Sequence, residues 1–293
     1  MVLIFSSSLL RPPGPAEAAL SIVDDLGQVV TLPAPAQRLL CLYGAYNEIL
    51  LAMGLGSRIV GRTKADKNLP ELADKPSIGT HMRPNVEMIL GLQPDLILQD
   101  AGRREAMPGL EQLRQQQVPV AVFHPTSFAQ LFSVIDRIGV LTGAPEAAAR
   151  LRQSLEERLA AVAAKVVQAK HRPKVFYEVR YPNLLAAGRH SIVHDVITRA
   201  GGENCVSSPK KIARLNLEAV IAADPEVYII QQGPMNPRPE PIQQRPHFSL
   251  LRAVQTNRVL VVDEQLYSRP GPQAVRAVEE LARFLHPDLF SEG

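Results

Sequence analysis

Cysteine is scarce in this chain: two in 293 residues, Cys41 and Cys205, far apart and outside any CxxC spacing. That excludes a disulfide framework and a cysteine-based zinc site, and free, buried thiols are expected among their apolar or small neighbours. No run of about 18 apolar residues occurs, so no membrane span is expected in the body of the chain. Charge of one sign is not in excess either. The 32 basic and 29 acidic residues are mixed along the sequence for a net +3, without the clustered basic face that nucleic acid requires. There is no GxGxxG after a strand, no Walker loop, no GxSxG and no HExxH. No catalytic residues, no cofactor and no enzymatic activity are therefore assigned.

What is present is a large apolar fraction, 46% of residues, in a chain long enough for two domains at roughly 100–200 residues each. The first 19 residues stand apart. An apolar start at Met1–Phe5, serines, a Pro-rich stretch and Ala16-Glu-Ala18 look like the tail of a secretory leader whose basic start is missing, which implies an extracytoplasmic protein.

From Ser21 onward folding signals are dense. Asp24-Asp25-Leu-Gly27 reads as a hairpin turn. Strands at residues 38–42, 59–61, 95–98 and 118–123 alternate with helices at 46–53, 86–92, 107–116 and 128–142, as parallel βαβ units do. Residues 145–170 carry no glycine and favour one long helix of roughly 25 residues, near 38 Å. Beyond Pro173 the alternation resumes, with strands at 174–179, 227–230 and 259–262 and helices at 191–200, 217–222 and 272–285. The proline-rich run 233–246 reads as an irregular loop. The fold class is α/β: two Rossmann-like lobes with parallel-rich sheets, joined by one long helix, with a ligand cleft between them. The expected boundaries are residues 20–142, a connector at 143–171, and 172–293.

An internal repeat supports this plan. Arg83, Asn85, Glu87 and Pro94 recur as Arg214, Asn216, Glu218 and Pro225, a constant offset of 131 residues, with apolar positions matched between them. Asn85 and Asn216 suit helix N-caps, and Glu87 and Glu218 fall in the positive first turns. Singly, each glutamate reads as a helix-terminus residue. As a symmetric pair on one face, they suit a partner with two cationic sockets.

The repeat, the long helix, Arg38-Leu-Leu-Cys-Leu-Tyr43-Gly-Ala-Tyr46-Asn-Glu48, Ser77-Ile-Gly79, Ala200-Gly-Gly-Glu-Asn204 and Tyr267-Ser-Arg-Pro-Gly-Pro272 together resemble the class III periplasmic binding proteins. These bind cobalamin, ferric siderophores or heme for ABC importers. The resemblance spans about residues 20–290 and implies a monomeric receptor that delivers a small-molecule metal chelate to a permease and its ATPase. It also implies that Glu87 and Glu218 dock on the permease. The family positions six residues before those glutamates, which often touch ligand, are His81 and Ile212 here; neither is the aromatic expected of a cobalamin binder.

Other candidates come from their place at strand ends, the cleft edge of an open α/β sheet. Tyr43 and Tyr46 could stack on a planar ligand or ligate ferric iron. Arg83 recurs with the repeat, so a helix-start role weighs equally with ligand contact. Tyr177, Arg180 and Tyr181 follow a strand, Arg189 leads into a helix, and Tyr267 and Arg269 sit in a further cleft loop. Guanidinium groups suit the carboxylates or phosphates of an anionic chelate. His190 and His194 have metal-sharing spacing but no third ligand, so no metal site is assigned. The rival readings are a metal-dependent enzyme, or a receptor for a free metal or an oxyanion, on the same fold.

Overall fold

The computed structural model describes residues 19–67, 69–80, 83–101 and 107–291. The leader-like segment and His81 lie outside these residues.

A hairpin of β1 (Leu20–Val23) and β2 (Val29–Leu32) opens the chain. Asp24 builds its turn by accepting the backbone N–H groups of Leu26 and Gln28, the use of Asp in turns. The first lobe then runs β3 (Leu39–Cys41), α1 (Gly44–Ala52), β4 (Ile59–Gly61), the short pair β5 (Gly79–Thr80) and β6 (Arg83–Pro84), α2 (Val86–Gly91), β7 (Leu96–Asp100), α3 (Met107–Gln115), β8 (Val120–Phe123) and α4 (Phe128–Thr142). Its sheet is parallel throughout in the order β4-β3-β7-β8. The strands are buried on both faces, which is why they read as continuous apolar runs rather than alternating ones.

Helix α5 (Pro145–Val166) connects the lobes and packs against α4 on one side. It ends four residues earlier than its composition suggests, where the β-branched pair Val166-Val167 gives way to a turn at Gln168 and Ala169. Its 22 residues span about 33 Å.

The second lobe comprises β9 (Lys174–Arg180), β10 (Leu185–Ala187), α6 (Ile192–Arg199), β11 (Glu203–Asn204), β12 (Ile212–Arg214), α7 (Leu217–Ala223), β13 (Val227–Gln232), α8 (Arg252–Gln255), β14 (Val259–Asp263), α9 (Glu264–Ser268), α10 (Ala274–Leu285) and α11 (Pro287–Phe290). Strands β9, β13 and β14 are parallel neighbours, and β10 and β12 extend the sheet antiparallel beyond β9. The series β9-β13-β14 restates β3-β7-β8 of the first lobe.

The repeat is visible atom by atom. Asn85 Oδ1 accepts from Met88 N at 3.0 Å, and Asn216 Oδ1 accepts from Ala219 N at 3.0 Å. Each helix then reaches a residue with positive φ, Gln93 and Asp224, followed by proline and an acid. Asp95 accepts the N–H of Arg38, and Glu226 accepts the N–H of Lys174. The acids thus tie the start of one strand to its neighbour in both lobes. One continuous cluster of buried residues runs from β1 through Tyr46, Phe128, α5 and Tyr177 to α10, so the two lobes share a core along one side. Cys41 is free and buried; Cys205 is free and partly buried, its thiol pushed up to about 12 by burial.

Candidate functional site

A cavity of about 690 Å³ opens between the lobes at the C-terminal ends of the parallel strands, where α/β sheets place ligands. From the first lobe come Leu42, Tyr43 and Gly44 after β3, Gln99 and Asp100 ending β7, and Pro125 and Thr126 after β8. From the second come Val179 and Arg180 ending β9, Ile192 and Val193 opening α6, Lys211 and Ile212 at β12, and Gln231, Met235, Glu264, Ser268 and Arg269. The lining is mostly apolar, with polar groups at fixed points.

Of the residues singled out above, Tyr43, Arg180, Ile212 and Arg269 line this cavity. Tyr43 packs edge-on against Tyr46, with ring centroids 5.8 Å apart. Burial, and then the nearby Asp100 carboxylate, push its phenol well above the usual range, so it presents a neutral hydroxyl. Tyr46 is fully buried behind it and donates to the Phe123 carbonyl at 3.1 Å. Tyr177 is also buried; its hydroxyl donates to Gln231 Oε1 at 3.2 Å and lies 3.0 Å from Ser268 Oγ. Tyr267 stacks beside Tyr177, with centroids 6.4 Å apart. These three tyrosines stand one layer behind the lining, and Tyr177 holds two lining residues in place. Tyr181 is packed instead under the Arg245 guanidinium and against Phe248. Arg83 lies on exposed β6, and Arg189 is exposed with its backbone N–H bonded to Ser208; neither lines the cavity. Glu87 and Glu218 are exposed at matching positions in the first turns of α2 and α7.

Lys211, Gln99, Asp100, Gln231 and Met235 were not legible as cavity residues. Lys211 precedes a strand of three residues, too short for alternation to mark. Gln99 and Gln231 end apolar strands and read simply as their termini.

The two lobes are joined beside the cavity by Arg269, whose Nη1 donates to Glu48 Oε1 at 2.9 Å, both side chains being 11% exposed. Burial pushes the Glu48 carboxyl up against the opposing pull of Arg269. Burial opposes the Arg269 charge, but Glu48, Tyr43 and Asp66 together outweigh it and hold the guanidinium above its usual range. A Cβ on Gly44 would lie 2.5 Å from Asp66 Oδ1 and 2.7 Å from Arg269 Nη1. Any larger residue there would force the Asp66 or Arg269 side chain to shift. The segment at residues 43–48 and the one at 267–272 therefore meet as the two halves of one ion-pair site. A second inter-lobe contact is the Phe128 N–H donated to Asp195 Oδ2 at 2.7 Å.

Asp100 Oδ2 lies 3.3 Å from His124 Nδ1, and Glu264 Oε2 accepts the Met235 N–H at 2.7 Å. His190 is exposed and His194 partly buried. Burial, then the Arg189 charge, hold the His194 imidazole below its usual range. Among the described residues no three His, Cys, Asp or Glu side chains are grouped to hold a metal ion. None of the described helices is long and apolar enough to cross a membrane.

Comparison with known proteins agrees with this geometry. The model of the periplasmic binding protein family matches residues 39–266. An ABC transporter substrate-binding lipoprotein of Bacillus subtilis is 27% identical over 278 residues, 93% of this chain and 87% of that protein. A vitamin B12-binding protein of Yersinia pestis is 26% identical over 92% of this chain and 93% of its own length. Among solved structures, the periplasmic heme-binding protein RhuT of Roseiflexus superposes with a TM-score of 0.73 at 25% identity, covering 87% of this chain and 99% of that one. With the matched region covering most of the chain and the parallel strands of both lobes, the chain belongs to the periplasmic binding protein family.

Proposed function

We propose that the protein is the extracytoplasmic solute-binding component of an ABC importer, which captures a metal chelate in the inter-lobe cavity and delivers it to the permease and its ATPase. The chelate classes that fit are a corrinoid, a ferric siderophore and heme. The observation that carries this reading is the cavity itself: about 690 Å³, apolar in most of its lining and built from the strand ends of both lobes. Its volume falls within the range of roughly 300–1,000 Å³ for small-molecule sites. Relatives that match nearly the whole chain include proteins named for vitamin B12 and for ABC substrate binding, and the family consists of binding proteins rather than enzymes. Tyr43, Arg180 and Arg269 contact the chelate, while Tyr46, Tyr177 and Tyr267 shape the wall behind them. The lobes are residues 20–142 and 172–293, with the connector at 143–171, and the receptor acts as a monomer.

The absorption spectrum and mass of whatever co-purifies, followed by titration with cobalamin, hemin and ferric chelates, test the cargo. Saturable binding of at least one is expected; catalytic turnover of a small substrate in its place would overturn the receptor reading. Exposed Glu87 and Glu218 serve as the two docking points. The pair Glu87→Ala and Glu218→Ala should abolish uptake while leaving affinity unchanged, and a loss of affinity would reassign both glutamates.

A further inference from the structure

The charges that line the cavity are not equivalent. Its two carboxylates are already engaged: Glu264 accepts the Met235 N–H, and Asp100 faces the His124 ring. Of its three cations, Arg269 is paired with Glu48. Among the described residues, Arg180 and Lys211 have no ion-pair or hydrogen-bond partner for their side chains. Both are held by backbone. Arg180 ends β9 and sits opposite Leu185 of β10. Lys211 is fixed at the edge of β12 because its carbonyl accepts the Gly188 N–H at 3.0 Å and the adjoining Ala187 pairs with Ile212. Glycine at 188 is what permits this. A Cβ there would collide with the Lys210 carbonyl oxygen, so the lysine-bearing segment lies directly against the entry to α6. The second-lobe wall thus presents two positioned and uncompensated cations to the cavity, while each acid in the lining has a partner.

We infer that Arg180 and Lys211 are the specificity-determining residues of the cavity, and that they select a chelate carrying peripheral anionic groups, carboxylate or phenolate, over a neutral one. The inference rests on the receptor reading and narrows it. A cation within reach of a bound anion gives a charge-assisted contact that a neutral ligand cannot return, and a neutral ligand must leave the cation desolvated.

Binding of four probes to the full chain tests it: hemin and a ferric tris-catecholate as anionic chelates, a ferric trihydroxamate and cyanocobalamin as neutral ones. Anionic probes should bind about 10-fold or more tightly than neutral ones, with an affinity that falls as salt rises. Arg180→Glu and Lys211→Glu should each weaken anionic probes by about 10- to 100-fold and so narrow or reverse the preference over neutral probes. Arg180→Lys should retain most of the anionic affinity. Preference for a neutral probe, or salt-independent binding of the anionic ones, would overturn the inference and leave the receptor reading standing. Saturable binding of none of the four would overturn both. The salt series on the unaltered protein is decisive even if a charge-reversal variant fails to fold.

Discussion

Glu178 is a full charge placed where water does not reach, and its partners show how the second lobe tolerates it. Arg245 forms a two-pronged pair with it, at 2.5 and 3.1 Å, and Tyr228 donates a third hydrogen bond at 2.6 Å. Both charged side chains are fully buried. Arg245 also donates to the Glu240 carbonyl and covers the Tyr181 ring, so one side chain pins the proline-rich loop to the sheet. Removing one member of such a pair leaves the other charge buried alone, which costs about 3–5 kcal/mol. Arg245→Met should lower unfolding stability by that amount in urea titration, and Arg245→Met with Glu178→Leu should restore part of it. A single variant within about 0.5 kcal/mol of the parent, the scale of ordinary surface substitutions, would show the pair to be dispensable. Nothing in the sequence advertises it. Arg245 lies in a run whose prolines mark only irregular backbone, and Glu178 sits within an apolar strand where a charge reads as an edge.

Elements were far more legible than side-chain directions. Helices with caps and strands with continuous apolar runs announce themselves, and α4 (Phe128–Thr142) matches its expected span because Ser127 caps one end and Gly143, with positive φ, closes the other. Short pieces such as β5, β6 and β12 carry two or three residues, too few for periodicity to register. The tyrosines show a different limit. Strand-end position places Tyr43 and Tyr177 near the cleft, but one residue of register decides which face a side chain takes. Tyr43 reaches the cavity, and Tyr177 points into the core. The repeat was legible as a pattern, and its cause is local: a capping Asn, a left-handed turn, then an acid that ties two strand starts together. Each cap should contribute about 1 kcal/mol. Asn85→Ala and Asn216→Ala should each lower stability by about that much, and the double variant by about their sum, since the sites share no partner. Clear non-additivity in denaturant titrations would mean that the two lobes' repeat helices are energetically coupled.

At the scale of the molecule, α5 does more than span the lobes. Arg158 on this helix forms a two-pronged pair with Glu279 on α10, both contacts at 2.8 Å, which clamps the connector to the second lobe. The hydrogen bond from Arg158 holds the Glu279 carboxyl below its ordinary range. Its contribution is therefore present above the unfolded carboxyl value of about 4.3 and is lost as pH falls through the folded value. Both side chains are partly exposed, so the effect should be no more than about 1 kcal/mol. Glu279→Gln should accordingly lose less stability than the parent between about pH 6 and pH 3. Equal losses would remove this pair from the acid response. Beside this clamp, the Glu48–Arg269 pair and the Asp195 contact cross the plane between lobes whose core is already continuous. Each lobe also keeps a smaller core cluster of its own, but the larger cluster that both share ties their unfolding together. Tyrosine fluorescence and far-UV circular dichroism should therefore trace one coincident unfolding transition. Two separated transitions would show that the continuous core and its inter-lobe contacts do not couple the lobes.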